Sequence, residues 1–192
     1  MSTPPVTDRA RVTRARLVEA AAARLVRDGY DAVSLRDVAA DAGLTTGAIY
    51  AHFRNKADLL AAVIAERIAS DLVAPSQGLG TDLAGTLAWQ ATHAADRAGL
   101  RALLVEGAHA ARTDAEAGRR IGEVLGAWSA EWSEQYRSIQ ASGGYPGLDM
   151  DAFLTLLLAV ELGLGVLEAT GIAGPDPATW ADTVRRVVDG VA

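Results

Sequence analysis

The stretch that decides the fold runs from Val33 to Leu60, VSLRDVAADAGLTTGAIYAHFRNKADLL. Three helix starts are written into it. Ser34 precedes a run in which Leu35, Val38, Ala39 and Ala42 recur at helical spacing, and Asp37 stands three residues on in the capping-box position. Gly43 falls where the chain needs a left-handed residue to leave that helix, and Leu44 follows as the apolar residue that tucks the turn against a core. Thr45 can cap a second short helix with Ala48, Ile49 and Phe53 inward. Thr46, Gly47, Tyr50 and His52 are then left near the outer surface, which carries donors and no acid. Asn55 can cap a third helix with Asp58 in the reciprocal position. Lys56 lies in the first turn of that helix, where free amides and a cation both attract an anion such as phosphate. A helix, a glycine turn and a second helix presented outward make a helix-turn-helix unit.

The run G-L-T-T-G-A-I-Y-A-H-F-R-N-K-A-D-L-L closely resembles the DNA-binding region of the TetR family of bacterial transcriptional regulators. Gly43, Gly47, Tyr50, Phe53, Lys56 and Leu59 all stand at the matching spacing, and the resemblance covers roughly residues 12 to 64. It implies that the second helix of the motif enters the major groove, with phosphate contacts from Thr45, Tyr50, His52 and Lys56. Base contacts are implied for Thr46, the Gly47 backbone and Arg36, with Ser34 counted in the DNA-binding set as the cap beside Arg36. Many family members carry a longer basic or polar residue where Thr46 stands and a second aromatic where Ala51 stands. Base reading here therefore leans on Arg36 and on DNA shape.

Charge is distributed unevenly along the 192 residues. Residues 1–60 hold nine Arg/Lys and seven Asp/Glu, or +2, and residues 61–192 hold nine and seventeen, or −8, for a net −6. A modestly basic head on an acidic body suits a specific DNA binder, because non-specific affinity grows with the number of phosphates neutralised. Half the residues are hydrophobic, enough for a substantial core. With no cysteine, neither disulfides nor thiolate metal sites are available, in keeping with a reducing cytoplasm. No metal or cofactor site is expected. No signal peptide and no uncharged apolar run of membrane-spanning length is read, so a cytoplasmic protein is expected.

Residues 1–7 read as a flexible leader. A first helix over about 8–28 carries Leu17, Val18, Ala21, Ala22, Leu25 and Val26 at helical spacing and ends at Gly29. Its arginine-rich start can approach the DNA backbone. From Asn55, Leu59, Leu60, Val63, Ile64, Ile68 and Leu72 mark a helix that stops before Pro75, and residues 75–80 form a loop. A helix from Asp82 to about Arg97, capped by Thr81, is expected to break at Gly99. Shorter and longer helices follow over about 100–112 and 114–140, then a loop over 141–147. The segment 149–170 is so apolar that more than one face requires cover, and a last helix near Pro177 carries Trp180, Val184 and Val188.

The expected architecture is all-α: a helix-turn-helix domain over 1–54 and a helical bundle over 55–192 for effector binding and dimerisation, about nine helices in all. A two-fold homodimer through Ala152, Leu156, Ala159, Gly163, Val166, Trp180, Val184 and Val188 covers the apolar helices and lets two heads grip successive grooves. An apolar or aromatic effector is expected among Trp89, Gln90, His93, Glu106, His109, Trp128, Trp132 and Tyr136. The function read is a DNA-binding regulator, most often a repressor, on double-stranded operator DNA. No catalytic residue is expected, since phosphate-cradling, nucleophile-elbow and His-Glu-x-x-His motifs are all lacking. The competing reading is a helical interaction module or ligand-independent regulator that uses the same scaffold with a protein partner.

Overall fold

A computed structural model describes residues 6–73, 89–143, 147 and 149–191, and every regular element among them is helical. The expected leader falls almost wholly outside them, as do the 75–80 loop and the Thr81 cap. The chain forms two compact units, one from Met1–Arg67 with Glu106–Val124 and one from Ile68–Val105 with Leu125–Ala192.

The first unit is built on α1 (Val6–Ala32), α2 (Leu35–Asp41), α3 (Thr46–Tyr50) and α4 (Lys56–Ile68). It also takes the end of α5 (Ala98–Thr113) and the start of α6 (Ala115–Ala141). The periodic face of α1 buries Leu17, Val18, Ala21, Ala22 and Leu25, but Val26, expected there, is 48% exposed. Gly29, at φ 78°, interrupts α1 where the sequence placed its end, and a last turn carries Tyr30 into the core. Leu35 and Val38 of α2, Ile49 of α3, and Leu59, Leu60, Val63 and Ile64 of α4 close on the same core. That shared burial moves the boundary. The expected cut at 54/55 would strip α4 from the core it completes, so α4 stays with the head, and residues 106–124 join it through Ala110, Ala117 and Ile121.

Tyr30 ties these later residues to α1. Its amide donates to Glu106 Oε2 at 2.7 Å and its hydroxyl to Asp114 Oδ2 at 2.8 Å. Asp114 also caps α6 by accepting from the amides of Glu116 and Ala117 at 2.9 and 3.2 Å. Burial, and then the Asp114 carboxylate, raise the Tyr30 phenol above its ordinary pKa. The phenol proton, followed by the capped amides, holds the Asp114 carboxyl below the usual carboxylate range.

The second unit holds a helical turn at 89–92, a 3₁₀ turn (Ala94–Arg97), the start of α5, most of α6, α7 (Met150–Ala169) and α8 (Pro177–Val191). Gly99 does not break a helix as expected. It lies in the first turn of α5, where amides have no intrahelical acceptor and glycine costs little. Trp132 and Tyr136 of α6 pack with Met150, Phe153 and Leu154 of α7, while Ala91 packs with Ala181 of α8.

Cover on more than one face of α7 was expected, yet within the chain its buried residues are Met150, Phe153, Leu154, Glu161 and Gly165. Leu156 and Val166 remain 56% and 48% exposed. Although α7 has the length and hydropathy of a membrane-spanning helix, its one mid-helix acid sits in a polar network. Glu161 accepts from Arg97 Nε at 2.7 Å and from Arg101 at 3.4 Å, and Arg101 also donates from Nε to Glu168 at 2.9 Å. Arg97, Arg101 and Glu161 are all buried. Two guanidinium groups against two carboxylates leave the cluster formally neutral.

Candidate nucleic-acid interface and ligand cavity

The geometry of the head begins with three caps. Ser34 Oγ accepts from the Asp37 amide at 3.2 Å and donates to the Asp37 carboxylate at 2.6 Å, so the acid holds the capping hydroxyl rather than the backbone amide of a reciprocal box. Thr45 Oγ1 accepts from the Ala48 amide at 3.2 Å, and Asn55 Oδ1 from the Asp58 amide at 2.8 Å. Between α2 and α3, Gly43 adopts φ 64°, and the Leu44 amide reaches back to the Ala39 carbonyl at 2.8 Å. A side chain at Gly43 would pay the left-handed strain and also crowd the Arg16 guanidinium. Arg16 itself donates to the Ala42 carbonyl at 2.6 Å and closes the end of α2. Sequence reasoning left this role unseen, because the partner lies 26 residues away.

On this frame α3 turns Ile49 inward and leaves Thr46, Gly47 and Tyr50 exposed, Tyr50 by 58%. His52 is half-buried beside Phe53. Ser34, Arg36 and Thr45 are exposed, and Arg36 makes no hydrogen bond or ion pair among the described residues. The α1 arginines expected to approach DNA are mostly committed within the unit. Arg11 pairs with Asp8, Arg14 with Glu66, and Arg16 with the Ala42 carbonyl.

Lys56 departs from the sequence expectation of a phosphate contact. Its Nζ donates to the carbonyls of Tyr30 at 2.7 Å and Asp31 at 3.2 Å and lies 4.2 Å from the centroid of the Tyr30 ring. Two of its three protons are thus used on the orphan carbonyls at the end of α1, where a cation also complements the helix dipole. Lys56 holds α4 to α1. Arg54, in the turn between α3 and α4, is 74% exposed while pairing with Asp58 at 2.9 Å, and it is a cation the sequence reading passed over.

In the second unit a cavity of about 300 Å³ lies among α6, α7, α8 and the segment before α5. Trp132, Tyr136 and Leu154 make its buried end, and Leu156, Val160 and Val187 its exposed side. Of the residues expected around an effector, Gln90, Trp128, Trp132 and Tyr136 line this cavity. Trp89 and His93 do not: their rings stack on each other at 4.4 Å, and His93 Nδ1 lies 2.9 Å from the Trp89 carbonyl. Glu106 and His109 are corrected outright, since both belong to the first unit. Glu106 accepts from the Tyr30 amide and His109 lies 2.9 Å from Asp31. Helix spacing cannot reveal that one helix serves two units.

The expected dimer stripe on α7, Ala152, Leu156, Ala159, Gly163 and Val166, is exposed throughout, and Trp180 and Val184 of α8 are half-buried. The side chain of Val188 lies outside those described.

A capped supporting helix, a left-handed glycine turn and an outward helix free of acids make a helix-turn-helix unit. Residues 17–63 match the profile of the bacterial regulatory proteins of the tetR family. TtgR, an HTH-type transcriptional regulator of Pseudomonas putida, is 44% identical over 57 residues, which make up 30% of this chain and 27% of that protein. The aligned stretch thus spans about a quarter of that relative. Over most of the chain the fold matches a TetR-family regulator of Rhodococcus, at TM-score 0.76 and 20% identity with 93% of this chain and 97% of that one covered. FadR of Bacillus subtilis, solved in complex with stearoyl-CoA, matches at TM-score 0.66 and 19% identity, covering 90% and 95%. Residues 17–63 thus resemble the DNA-binding helix-turn-helix of the tetR family, and the chain has the fold of TetR-family regulators.

Proposed function

We propose that this regulator acts in the cytoplasm as a homodimeric repressor, binding a pseudo-palindromic operator and leaving it when an apolar effector enters the second unit. The observation that carries the DNA reading is the outer face of α3, exposed at Thr46, Gly47 and Tyr50, together with an exposed Arg36 on α2 that is unpaired among the described residues. Thr46 and Arg36 read base edges, Tyr50 and His52 contact phosphate, and Thr45 and Ser34 hold the helices that present them. Lys56 positions α4.

One head makes too few contacts to select a site, so two are needed, with half-sites about 34 Å apart or a multiple of that. The exposed apolar stripe of α7, with Trp180 and Val184 of α8, supports pairing of two chains. The cavity lined by Trp128, Trp132 and Tyr136 supports the effector reading, and the stearoyl-CoA complex of Bacillus subtilis FadR is a precedent on the same fold. An effector lowers operator affinity only by binding the released state better, a coupling typically worth about 1–3 kcal/mol.

The test is a mobility shift on the DNA flanking the protein's own gene, repeated with a panel of lipophilic compounds. A retarded band competed by unlabelled specific duplex, and weakened by at least one compound, is expected. Equal affinity for specific and random duplex at every salt concentration refutes operator recognition.

A further inference from the structure

Resting on the DNA reading of the head, we infer that Arg54, rather than Lys56, is the phosphate-binding cation at the junction of α3 and α4. The two cations flank Asn55, the cap of α4, and the structure uses them in opposite ways.

Lys56 is spent within the unit. Its ammonium serves the Tyr30 and Asp31 carbonyls and lies over the Tyr30 ring, so a phosphate would have to draw it from partners it already holds. Arg54 has 74% of its side chain exposed. Of its guanidinium nitrogens only Nε is engaged, on Asp58 Oδ2 at 2.9 Å, and the two terminal nitrogens have no partner among the described residues. A guanidinium presents its N–H donors in a planar fork, and the edge made by the terminal pair is the one that grips a phosphate through two parallel bonds.

The turn fixes that fork before any DNA arrives. Phe53, the residue before it, is buried, and its amide donates to the Ile49 carbonyl at 2.9 Å. The Arg54 amide donates to the same Asp58 oxygen as Nε, at 3.3 Å, so one carboxylate oxygen holds both the backbone and the root of the guanidinium. The other Asp58 oxygen lies 2.8 Å from Arg120 Nε, and the Asp58 side chain is mostly buried. A phosphate that takes the terminal nitrogens leaves the Nε bond intact. Binding then costs little side-chain freedom and strips no partner from Asp58. Arg54 lies four positions after the exposed Tyr50, at most about 14 Å of chain, which keeps it beside the end of the α3 face.

Fluorescence anisotropy of the full chain tests this on two labelled duplexes, the DNA flanking its own gene and a random-sequence duplex, over a range of salt. Arg54→Gln is expected to weaken both by about tenfold, the low end for a charge-assisted hydrogen bond, and to make the slope of log K against log salt shallower by about one per head bound. The thermal midpoint should move by no more than about 2–4 °C, because the ion pair lost with Arg54 is an exposed one. Arg54→Lys, which keeps the charge and loses the fork, is expected to restore the slope but only part of the affinity. Arg137→Gln removes an exposed, paired arginine from α6 in the second unit and is expected to leave the slope unchanged. An unchanged slope in Arg54→Gln, or an equal loss of slope in Arg137→Gln, overturns the phosphate role of Arg54 and leaves the DNA reading standing. No binding of either duplex by the unaltered chain at low salt overturns the DNA reading, and this role with it.

Discussion

Replacing Lys56 separates two roles that predict opposite measurements. If the ammonium serves mainly to close α1, Lys56→Ala removes two charge-assisted hydrogen bonds, at 2.7 and 3.2 Å, and the contact with the Tyr30 ring. Hydrogen bonds to a charged group contribute about 1.5–3 kcal/mol, and a cation over a ring at a wet site adds about 0.5–1 kcal/mol. Lys56 is only half-buried, so water replaces part of both bonds and the total falls below that sum, to about 2 kcal/mol. For a chain of this length each kcal/mol moves the thermal midpoint by about 2–4 °C, so a fall of about 4–8 °C is expected. Lys56→Met, which keeps the stem against Tyr30 but not the charge, should recover only the packing part. Thermal melts followed by circular dichroism give the midpoint, and operator titrations over a range of salt give the slope of log K against log salt. A phosphate contact instead predicts an unmoved midpoint and a slope reduced by about one. That result would refute the structural role assigned to Lys56.

Other substitutions test the second unit and the pH response. Glu161→Ala leaves Arg97 and Arg101 buried without their shared carboxylate and should cost about 3–5 kcal/mol in denaturant unfolding followed by tryptophan fluorescence. Leu156→Asp places a charge in the exposed stripe of α7 and, in the proposed homodimer, removes an apolar contact twice over. Sedimentation should show dimer dissociation strengthened by about two to four orders of magnitude, with loss of affinity for two-half-site DNA. Asp114 has its carboxyl pKa depressed by the Tyr30 phenol and the capped amides, so its stabilising contribution is present above the ordinary value of 3.8 and disappears as pH falls through the lowered one. The stability advantage of the unaltered chain over Asp114→Asn should therefore shrink between about pH 5 and pH 2, in melts at constant ionic strength. Tyr30→Phe should abolish most of that advantage, because the phenol is the largest cause of the shift.

What could be read from the residues alone is whatever is settled within one helical turn. The Ser34, Thr45 and Asn55 caps, the left-handed Gly43 and the inward set Ile49, Phe53, Leu59 and Leu60 all depend on partners a few positions away. Such interactions are written into spacing and residue type, and they were enough to place the helix-turn-helix and the all-helical build. Tertiary structure decided everything that joins distant segments. It set Lys56 on carbonyls 26 and 25 residues back, and it brought the Tyr30 hydroxyl to an acid 84 residues on. Glu106 and His109 went to the first unit rather than the cavity, and an acid in the apolar α7 found two arginines 60 and 64 positions earlier. Periodicity shows which face of a helix is apolar and says nothing of which neighbour covers it, because side-chain pairing across the chain is chosen by packing in three dimensions.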